Sequence, residues 1–303
     1  MNDSKRKGLN SFIHSDSSDS ILSAYQEDRP FYCEDLSSSI SDLTQIPFLK
    51  SLDTMLDNWS DEVHVHLPDA ADEASAIKTN SKEARKLFRN GMGVRFSEVN
   101  KKSPKLDSWL QSIKEDFGFS KMTYARSIVY ATPANKGNAP HFDQNYNIVI
   151  QLTGNKKWWI APNTTVANPL TRHVIGLETD PELASYTRQE FPKEMPEGAQ
   201  EFTLKAGSVL FVPRGHWHMT HANEDSLALN LTFSAPTYLD TLTAALRGRL
   251  AQSPHWRESI DGLNSEEGFH IAAHKFNLLL AELKEDVKTW EAEGILAATE
   301  FAE

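Results

Sequence analysis

The chain has 303 residues and a formal net charge of −11 at pH 7. A chain of this length can bury a sizeable core, and 39% hydrophobic with 24% charged residues is ordinary for a soluble globular protein. The acidic balance argues against non-specific binding to nucleic acid, which needs a basic surface. Cys33 is the single cysteine, which excludes an intrachain disulfide and a zinc site built from cysteines.

The sequence gives no sign of a membrane segment or a secretory signal. Lys5, Arg6 and Lys7 are not followed by the apolar stretch that a secretory signal needs. No segment approaches the roughly 18 consecutive apolar residues of a transmembrane helix. We therefore expect a cytoplasmic protein with no direct binding to membranes or nucleic acid.

The N-terminal part divides into a polar tail and two helices. Residues 1–20 are rich in Ser, Asp and Asn, a composition that predicts a disordered tail. Ser81–Arg89 begins at a serine that can cap a helix, and Leu106–Phe117 carries an apolar stripe at helical spacing. Together with the strands that follow, these helices form a predicted catalytic domain over residues 21–236.

Short strands separated by turns dominate the middle of the chain. The predicted strands are Met122–Thr132, Asn145–Leu152, Lys157–Ala161, Glu201–Leu204, Val209–Val212, Trp217–His221 and Leu227–Phe233. Many closely spaced short strands are typical of a barrel or sandwich, so the predicted class is mainly β with flanking helices. Thr164–Gly198 interrupts the strands as a long insert, and loops of that length are usually functional or act as lids.

The C-terminal part, residues 237–303, is predicted to be a helical dimerisation region. Tyr238–Ala251 and Glu266–Trp290 carry apolar residues at helical spacing, including three consecutive leucines at positions 278–280. A helix that is apolar over so wide an arc must be buried on more than one side. A second copy of the chain across a two-fold axis is the simplest cover, so we expect a homodimer.

His141 and Asp143 are candidate metal ligands. Residues i and i+2 of a strand point to the same face, so both side chains can reach one ion. A histidine from Gly215–His218 would complete a ligand set of two histidines and one carboxylate. This is the ligand set found in non-haem Fe(II) oxygenases. His218 is preferred because it lies inside the strand after the turn, and His221 is the alternative if a bulge intervenes.

Lys156 and Lys157 open a strand beside the His/Asp strand. A keto-acid co-substrate such as 2-oxoglutarate carries a distal carboxylate that needs a cation near the metal. Alternation sends the two lysines to opposite faces, so one of them points inward. A buried lysine is too costly without an anion to pair with, which favours a bound co-substrate.

The motifs around these residues resemble the JmjC/cupin-type 2-oxoglutarate oxygenases. The similarity covers the run from His141 to Trp158, Val129–Pro133 upstream and Gly207–His218 downstream. Within that family the chain is most similar to the ribosomal oxygenases, which hydroxylate side chains of ribosomal proteins. The chain departs from them after Glu266, where no strand pair of a winged-helix module is evident.

The resemblance implies a double-stranded β-helix of the cupin or jelly-roll type with a helical dimerisation region. It assigns the metal ligands to His141, Asp143 and His218, with iron as the metal. It assigns the anchor of 2-oxoglutarate to Lys156 and not to Lys157. Further polar contacts to the co-substrate are implied at Tyr130, Asn147 and Asn230.

The expected function is Fe(II)- and 2-oxoglutarate-dependent hydroxylation of an unactivated C–H bond, with O₂ as the second co-substrate. The resemblance favours an amino-acid side chain in a protein or peptide as the substrate. A hydroxylase of a free amino acid or of a natural-product small molecule is the first alternative. A non-enzymatic metal-binding cupin is the second, and it predicts no turnover of 2-oxoglutarate.

Overall fold

The computed structural model describes residues 8–11, 13–34, 43, 45–66 and 76–300. The chain divides into two compact units. The first consists of Met1–Phe119 and Tyr124–Ser234, and the second of Ser120–Thr123 and Ala235–Glu303. Among the described residues, no helix is both long and apolar enough to cross a lipid bilayer.

The strands are β1 (Phe31–Cys33), β2 (Val63–His66), β3 (Ile77–Thr79), β4 (Gly93–Phe96), β5 (Tyr124–Thr132), β6 (His141–Phe142), β7 (Tyr146–Thr153), β8 (Lys156–Ala161), β9 (His173–Val174), β10 (Gln200–Leu204), β11 (Val209–Val212), β12 (Trp217–Ala222) and β13 (Ser226–Ser234). The helices are α1 (Ser15–Gln26), α2 (Leu52–Asn58), α3 (Ser81–Arg89), α4 (Pro104–Asp116), α5 (Pro181–Tyr186), α6 (Tyr238–Leu250), α7 (Glu266–Val287) and α8 (Ala292–Glu300). Short 3₁₀ helices occupy Leu9–Ser11, Pro47–Leu49, Val99–Lys102 and His255–Arg257.

Two antiparallel sheets form the first unit. The larger sheet has the strand order β1-β11-β7-β13-β5-β4-β2-β3, and the smaller has the order β10-β8-β12-β6-β9. Each predicted strand between Met122 and Phe233 is present, with ends that differ by two residues at most. The prediction of a mainly β fold with flanking helices is confirmed.

The central strand β7 shows why the sequence of this region is strongly apolar. Ile148 and Ile150 face the main core, which includes the helical residues Leu110 and Ile113. Val149 faces the opposite side and belongs to a second apolar cluster that lies between the two sheets. Because β7 is covered on both faces, its sequence is apolar at successive positions and not at alternate ones.

The prediction of a disordered tail over residues 1–20 is wrong for residues 8–11 and 13–20. Residues 1–7 and 12 lie outside the described part of the chain. Leu9 and Ile13 are completely or almost completely buried, and the backbone N–H of Leu9 donates to a carboxylate oxygen of Asp116 at 2.7 Å. The Ser- and Asp-rich composition of α1 masks a few apolar anchors, such as Ile21, that suffice to fix the segment on the core.

The insert Thr164–Gly198 carries structure of its own. Strand β9 pairs with β6, so that His141 lies opposite Val174 and Phe142 lies opposite His173. Leu183 of helix α5 packs with Phe142 in a third apolar cluster. The insert therefore supports the strand that carries the first candidate metal ligand.

Helices α6, α7 and α8 form most of the second unit. Helix α6 ends one residue before the predicted end, α7 ends at Val287, and α8 is not anticipated by the sequence analysis. Leu279 is the one buried residue of α7, and α6 has none among its described side chains. Large apolar side chains of α6 and α7 are exposed, among them Tyr238, Leu239, Leu242, Phe269, Ile271, Phe276, Leu278 and Leu280.

Candidate metal centre and adjoining cleft

His141, Asp143 and His218 converge on one point between the sheets. One ligand atom from each lies within 4.8 Å of the ligand atoms of the other two. Nε2 of His218 is 3.7 Å from an Oδ atom of Asp143, and the two imidazole centroids are 4.1 Å apart. No other His, Cys, Asp or Glu of the described residues joins this cluster.

Strand pairing places the two histidines together. His141 of β6 is the direct antiparallel partner of His218 on β12, and directly opposite side chains lie on one face of a sheet. Gly215 has φ of +78° at the turn before β12, and its N–H donates to the carbonyl of Asp143 at 2.8 Å. This turn therefore connects the segment of His218 to the segment of Asp143.

Backbone carbonyls orient both rings. Nδ1 of His141 lies 2.7 Å from the carbonyl oxygen of Ala139, and Nδ1 of His218 lies 2.9 Å from that of His216. When Nδ1–H donates to a carbonyl, the proton is fixed there and the lone pair of Nε2 is free to bind a metal. Both rings are 6% exposed or less, so burial also restricts their rotation.

The electrostatics of the cluster suit a cation. Burial lowers the pKa of His218 to about 3, with a smaller contribution from neighbouring His141, so the imidazole is neutral near pH 7. Desolvation alone would raise the pKa of the Asp143 carboxyl. Attraction by neighbouring groups, His141 and the guanidinium of Arg172 among them, outweighs it and holds that pKa below its ordinary value. Neutral imidazole and ionised carboxylate are the forms that bind metals.

Lys156 and Lys157 point to opposite faces of β8. Lys156 is 4% exposed, its Nζ donates to Oγ1 of Thr132 at 3.0 Å, and it lies 5.7 Å over the ring of Trp158. Lys157 forms a 2.7 Å ion pair with Glu201 on the outer side of the sheet. Lys156 and the three candidate ligands line the same cleft, which has about 820 Å³ of space including the part open to solvent.

The remaining candidate cofactor residues, Tyr130, Asn147 and Asn230, also line this cleft. Oδ1 of Asn147 accepts a hydrogen bond from Oγ1 of Thr232 at 2.8 Å. Oδ1 of Asn230 is buried and has no hydrogen-bond partner among the residues that the structure describes. A buried amide without a partner is costly, so this atom is a position where a bound molecule can contribute a missing contact.

The other histidines of this segment lie elsewhere. His221 is opposite Lys157 in the β12–β8 register and therefore shares the outer face with it. His216 is buried at the turn, and its carbonyl orients His218. The structure thus places His218 in the cluster and His221 outside it.

Several cleft residues were not proposed from the sequence. Arg126 and Asn145 have the same strand parity as the proposed residues Tyr130 and Asn147, so alternation along β5 and β7 could have found them. Arg172 lies in the insert, and its Nε is 3.4 Å from an Oδ atom of Asp143. No sequence signal marks Arg172, because its position depends on the long-range pairing of β9 with β6.

Residues 102–241 match the JmjC domain family. This match covers the segment that carries the three candidate metal ligands. The resemblance to JmjC oxygenases that the motifs indicate is confirmed, and the similar proteins include members of the ribosomal oxygenase group.

Two curated relatives and one solved structure illustrate the similarity. An uncharacterized protein of Bacillus subtilis, YxbC, is 33% identical over 178 residues, which are 58% of this chain and 54% of that protein. Ribosomal oxygenase 1 of Danio rerio is 29% identical over 151 residues, 49% of this chain and 25% of that protein. The structure of YcfD, a ribosomal oxygenase from Escherichia coli in complex with cobalt and succinic acid, has a TM-score of 0.54 at 14% identity, covering 90% of this chain and 68% of that one.

The chain spans about half the length of the first relative and a quarter of the second. The likeness to YcfD shows a shared fold, which agrees with the double-stranded β-helix that the resemblance implies.

Proposed function

We propose that the protein is an Fe(II)- and 2-oxoglutarate-dependent oxygenase that hydroxylates a C–H bond of an amino-acid side chain. The observation that carries this proposal is the convergence of His141, Asp143 and His218 beside the buried Lys156 in one cleft. An ion site alone fits many proteins. A facial set of two histidines and a carboxylate beside a buried cation fits a metal that shares its site with an anionic co-substrate.

The donor set fits iron. Two imidazole nitrogens and one carboxylate oxygen are a combination that binds Fe(II), and three protein ligands leave coordination positions for co-substrates. His141 and His218 hold their lone pairs in place through the carbonyls of Ala139 and His216. Arg172 lies near Oδ1 of Asp143, whereas His218 lies near Oδ2. The contact with Arg172 thereby orients the carboxylate.

The cleft also fits 2-oxoglutarate. Lys156 is the proposed partner of the distal carboxylate, and the hydroxyl of Thr132 holds its ammonium group in place. The ring of Trp158 stacks on His218 with centroids 5.9 Å apart and forms an apolar wall that excludes water. Asn230 lines the same cleft, and its side-chain NH₂ group is the donor that could reach an oxygen of the bound co-substrate. When bound, iron and 2-oxoglutarate supply the activation of O₂ for hydroxylation.

A protein or peptide substrate is supported by the ribosomal oxygenases among the relatives. A free amino acid or natural product as the substrate, and a cupin that binds metal without catalysis, are the competing functions. All three predict metal binding, so the decisive difference is whether 2-oxoglutarate is consumed and what receives the oxygen.

The test is an assay with purified protein, Fe(II), 2-oxoglutarate and O₂ against a panel of peptides and amino acids. We expect succinate release and a product that has gained one oxygen atom by mass spectrometry. Formaldehyde release would instead indicate oxidation of a methyl group that is then lost. Metal binding without any turnover of 2-oxoglutarate across the panel would contradict the proposed enzyme and support the metal-binding cupin.

We also propose that the second unit forms a homodimer through α6 and α7. The support is the exposure of Leu239, Leu242 and Phe276, each between 44% and 51%, on helices that bury little within the chain. A two-fold contact would bury such apolar surface on both copies. Light scattering at micromolar concentration should give twice the monomer mass of 34.1 kDa. Leu242→Glu should shift the mass toward the monomer, and a wild-type monomer would contradict the dimer.

A further inference from the structure

Arg126 is a cation of the cleft that neither the metal centre nor the proposed co-substrate site uses. Strand β5 contributes Arg126, Ile128 and Tyr130 to the cleft lining at alternate positions. Thr132 is next in the same alternation, and its hydroxyl accepts a hydrogen bond from Nζ of Lys156. Arg126 and Thr132 are six positions apart, roughly 20 Å along a strand. Arg126 therefore lies toward the opposite end of the cleft from Lys156.

The guanidinium of Arg126 has an incomplete set of contacts. Its Nε is buried, and no acceptor in the described part of the chain lies within hydrogen-bonding distance of it. Glu98 and Asp143 attract it at longer range. Glu98 already accepts from the hydroxyl of Tyr124 and pairs with Lys101 at 2.7 Å, and Asp143 belongs to the metal cluster.

Two amides beside Arg126 have their oxygens occupied. Oδ1 of Asn147 accepts from Thr232, which is the direct cross-strand partner of Arg126 on β13. Oδ1 of Asn145 accepts from Oγ of Ser234 at 2.6 Å. The NH₂ group is the part of each amide that can donate a hydrogen bond, and both residues line the cleft. Apart from Asn147, which is a candidate contact to the co-substrate, this end of the cleft presents hydrogen-bond donors from Arg126 and Asn145.

The charge balance of the cleft is positive, although the whole chain is acidic. Lys156, Arg126 and Arg172 stand against the single carboxylate of Asp143 among the acidic and basic residues that line it. A divalent metal adds two positive charges and a bound 2-oxoglutarate removes two. An excess of positive charge among the lining residues therefore remains when both are present, and Arg126 contributes to it.

We propose that the substrate of this enzyme carries a carboxylate that binds to Arg126 and to the amide group of Asn145. This inference rests on the proposed function and names its substrate class. A carboxylate supplies acceptors only, which complements a group of donors, and a charge-assisted contact to arginine can be bidentate. A basic side chain would place a second cation beside Arg126 and is disfavoured for that reason.

The carboxylate can belong to an acidic side chain of a peptide or to a small amino acid, because both present the same chemistry to Arg126. The probes are acetylated heptapeptide amides with Asp, Glu, Asn, Gln, Lys or Arg at the centre of randomised flanks, together with free L-aspartate and L-glutamate. Binding is measured by tryptophan fluorescence without O₂, with metal-free protein and with protein that holds Mn²⁺ and 2-oxoglutarate. Oxygen incorporation is measured separately with Fe(II).

We expect Asp- or Glu-centred probes to bind about tenfold more tightly, or better, than their amide counterparts, with Lys and Arg probes weakest. Arg126→Gln should abolish this preference, Arg126→Lys should retain part of it, and Arg126→Glu should shift binding toward basic probes. Arg257→Gln, at an exposed position of the second unit, is the matched control and should keep the wild-type preference. Tighter binding of the free amino acids than of the peptides would identify a small-molecule source.

Three results would overturn the proposal. They are equal affinity of the wild type for acidic and amide probes, a preference that survives Arg126→Gln, and a loss of 2-oxoglutarate affinity in Arg126→Gln as large as that in Lys156→Ala. The last would place Arg126 in the co-substrate site. An Arg126-dependent carboxylate preference in the metal-free protein supports the site even if no turnover occurs, so failure of the oxygenase function is a separate outcome.

Discussion

The two faces of the five-stranded sheet use the same residue types for different purposes. Toward the cleft, β8 and β12 present Lys156, Trp158 and His218, each 6% exposed or less. The outer face of the same two strands presents Lys157, Trp159 and His221, all partly exposed. A lysine, a tryptophan and a histidine occur on each face, so residue type does not distinguish the site from the surface.

The difference lies in the surroundings. On the outer face, Lys157 forms an ion pair with Glu201, and its Nζ lies 5.9 Å from the ring centroid of Trp159. These groups are partly exposed to solvent. On the inner face, Lys156 donates a hydrogen bond to the hydroxyl of Thr132, and His218 lies beside His141 and Asp143. Water stabilises the outer groups whether or not they have partners, whereas the inner groups depend on what the cleft binds. Changes on the inner face should therefore affect ligand binding, and matched changes on the outer face should not.

The largest difference is expected between the two histidines. His218→Ala removes one of three metal ligands and should weaken Fe(II) binding by about two orders of magnitude or more, because even loss of residues behind the ligands costs up to about a hundredfold. Turnover of 2-oxoglutarate should fall with it. Anaerobic equilibrium dialysis with Fe(II) measures the first effect and succinate release the second.

His221→Ala is the control, because His221 lies on the outer face of the same strand. It should keep both iron affinity and turnover. Iron retained by His218→Ala and lost by His221→Ala would contradict the ligand assignment and favour the alternative considered from the sequence.

The two lysines should differ next. Removal of one member of a buried ion pair costs about 3–5 kcal/mol, so Lys156→Ala should weaken 2-oxoglutarate binding by about a hundredfold or more. Lys157→Ala should leave that affinity within about twofold, because its partner is Glu201 and not the co-substrate. Titration of 2-oxoglutarate into the Mn²⁺-loaded variants measures both. Equal losses from the two substitutions would remove the assignment of Lys156.

Much of this arrangement follows from strand parity. The alternation of His141, Phe142 and Asp143 places two ligands together, and the same rule separates Lys156 from Lys157. Local patterns also predict the strands between Met122 and Phe233, because each is a short apolar run with a turn at its end. Parity alone could not assign the inward direction to Lys156, and the family resemblance was needed for that choice.

Features that depend on distant pairing could not be predicted. Arg172 reaches Asp143 because β9 of the insert pairs with β6, and no periodicity in the insert indicates that pairing. The helix α1 was missed for a different reason. Its composition is polar, and a few buried positions such as Ile21 decide its structure where the average over the segment does not.

The pH dependence of stability provides a further comparison of the two faces. His218 has an ordinary pKa of 6.5 and a folded-state pKa of about 3, so the unfolded chain binds the proton more readily. The stabilising contribution of neutral His218 is present above pH 6.5 and is lost as the pH falls toward 3. For metal-free protein we expect a loss of about 2 kcal/mol between pH 7 and pH 5 from this residue.

Urea unfolding at the two pH values measures this effect. His218→Leu, which cannot bind the proton, should lose less stability on acidification than the wild type by about that amount. His221→Leu should follow the wild type. If the free energy of unfolding of His218→Leu shows the same acid dependence as that of the wild type, the lowered pKa of His218 is contradicted. The imidazole would then bind a proton in the folded protein as readily as in the unfolded chain.

The smallest effect is expected for the ion pair of the outer face. Lys157 and Glu201 are 35% and 43% exposed, and the pKa of Glu201 is lowered chiefly by the hydrogen bond from Lys157. Exposed pairs of this kind contribute little, because water screens the attraction and two flexible side chains must be ordered. Lys157→Ala, Glu201→Ala and the double variant should each shift the melting temperature by less than about 3 °C. The shifts should shrink in 1 M salt, where the attraction between exposed charges is screened within about 3 Å. A larger shift that persists in high salt would mean that the outer face also depends on a specific charge pair, and the contrast between the two faces would then be one of degree.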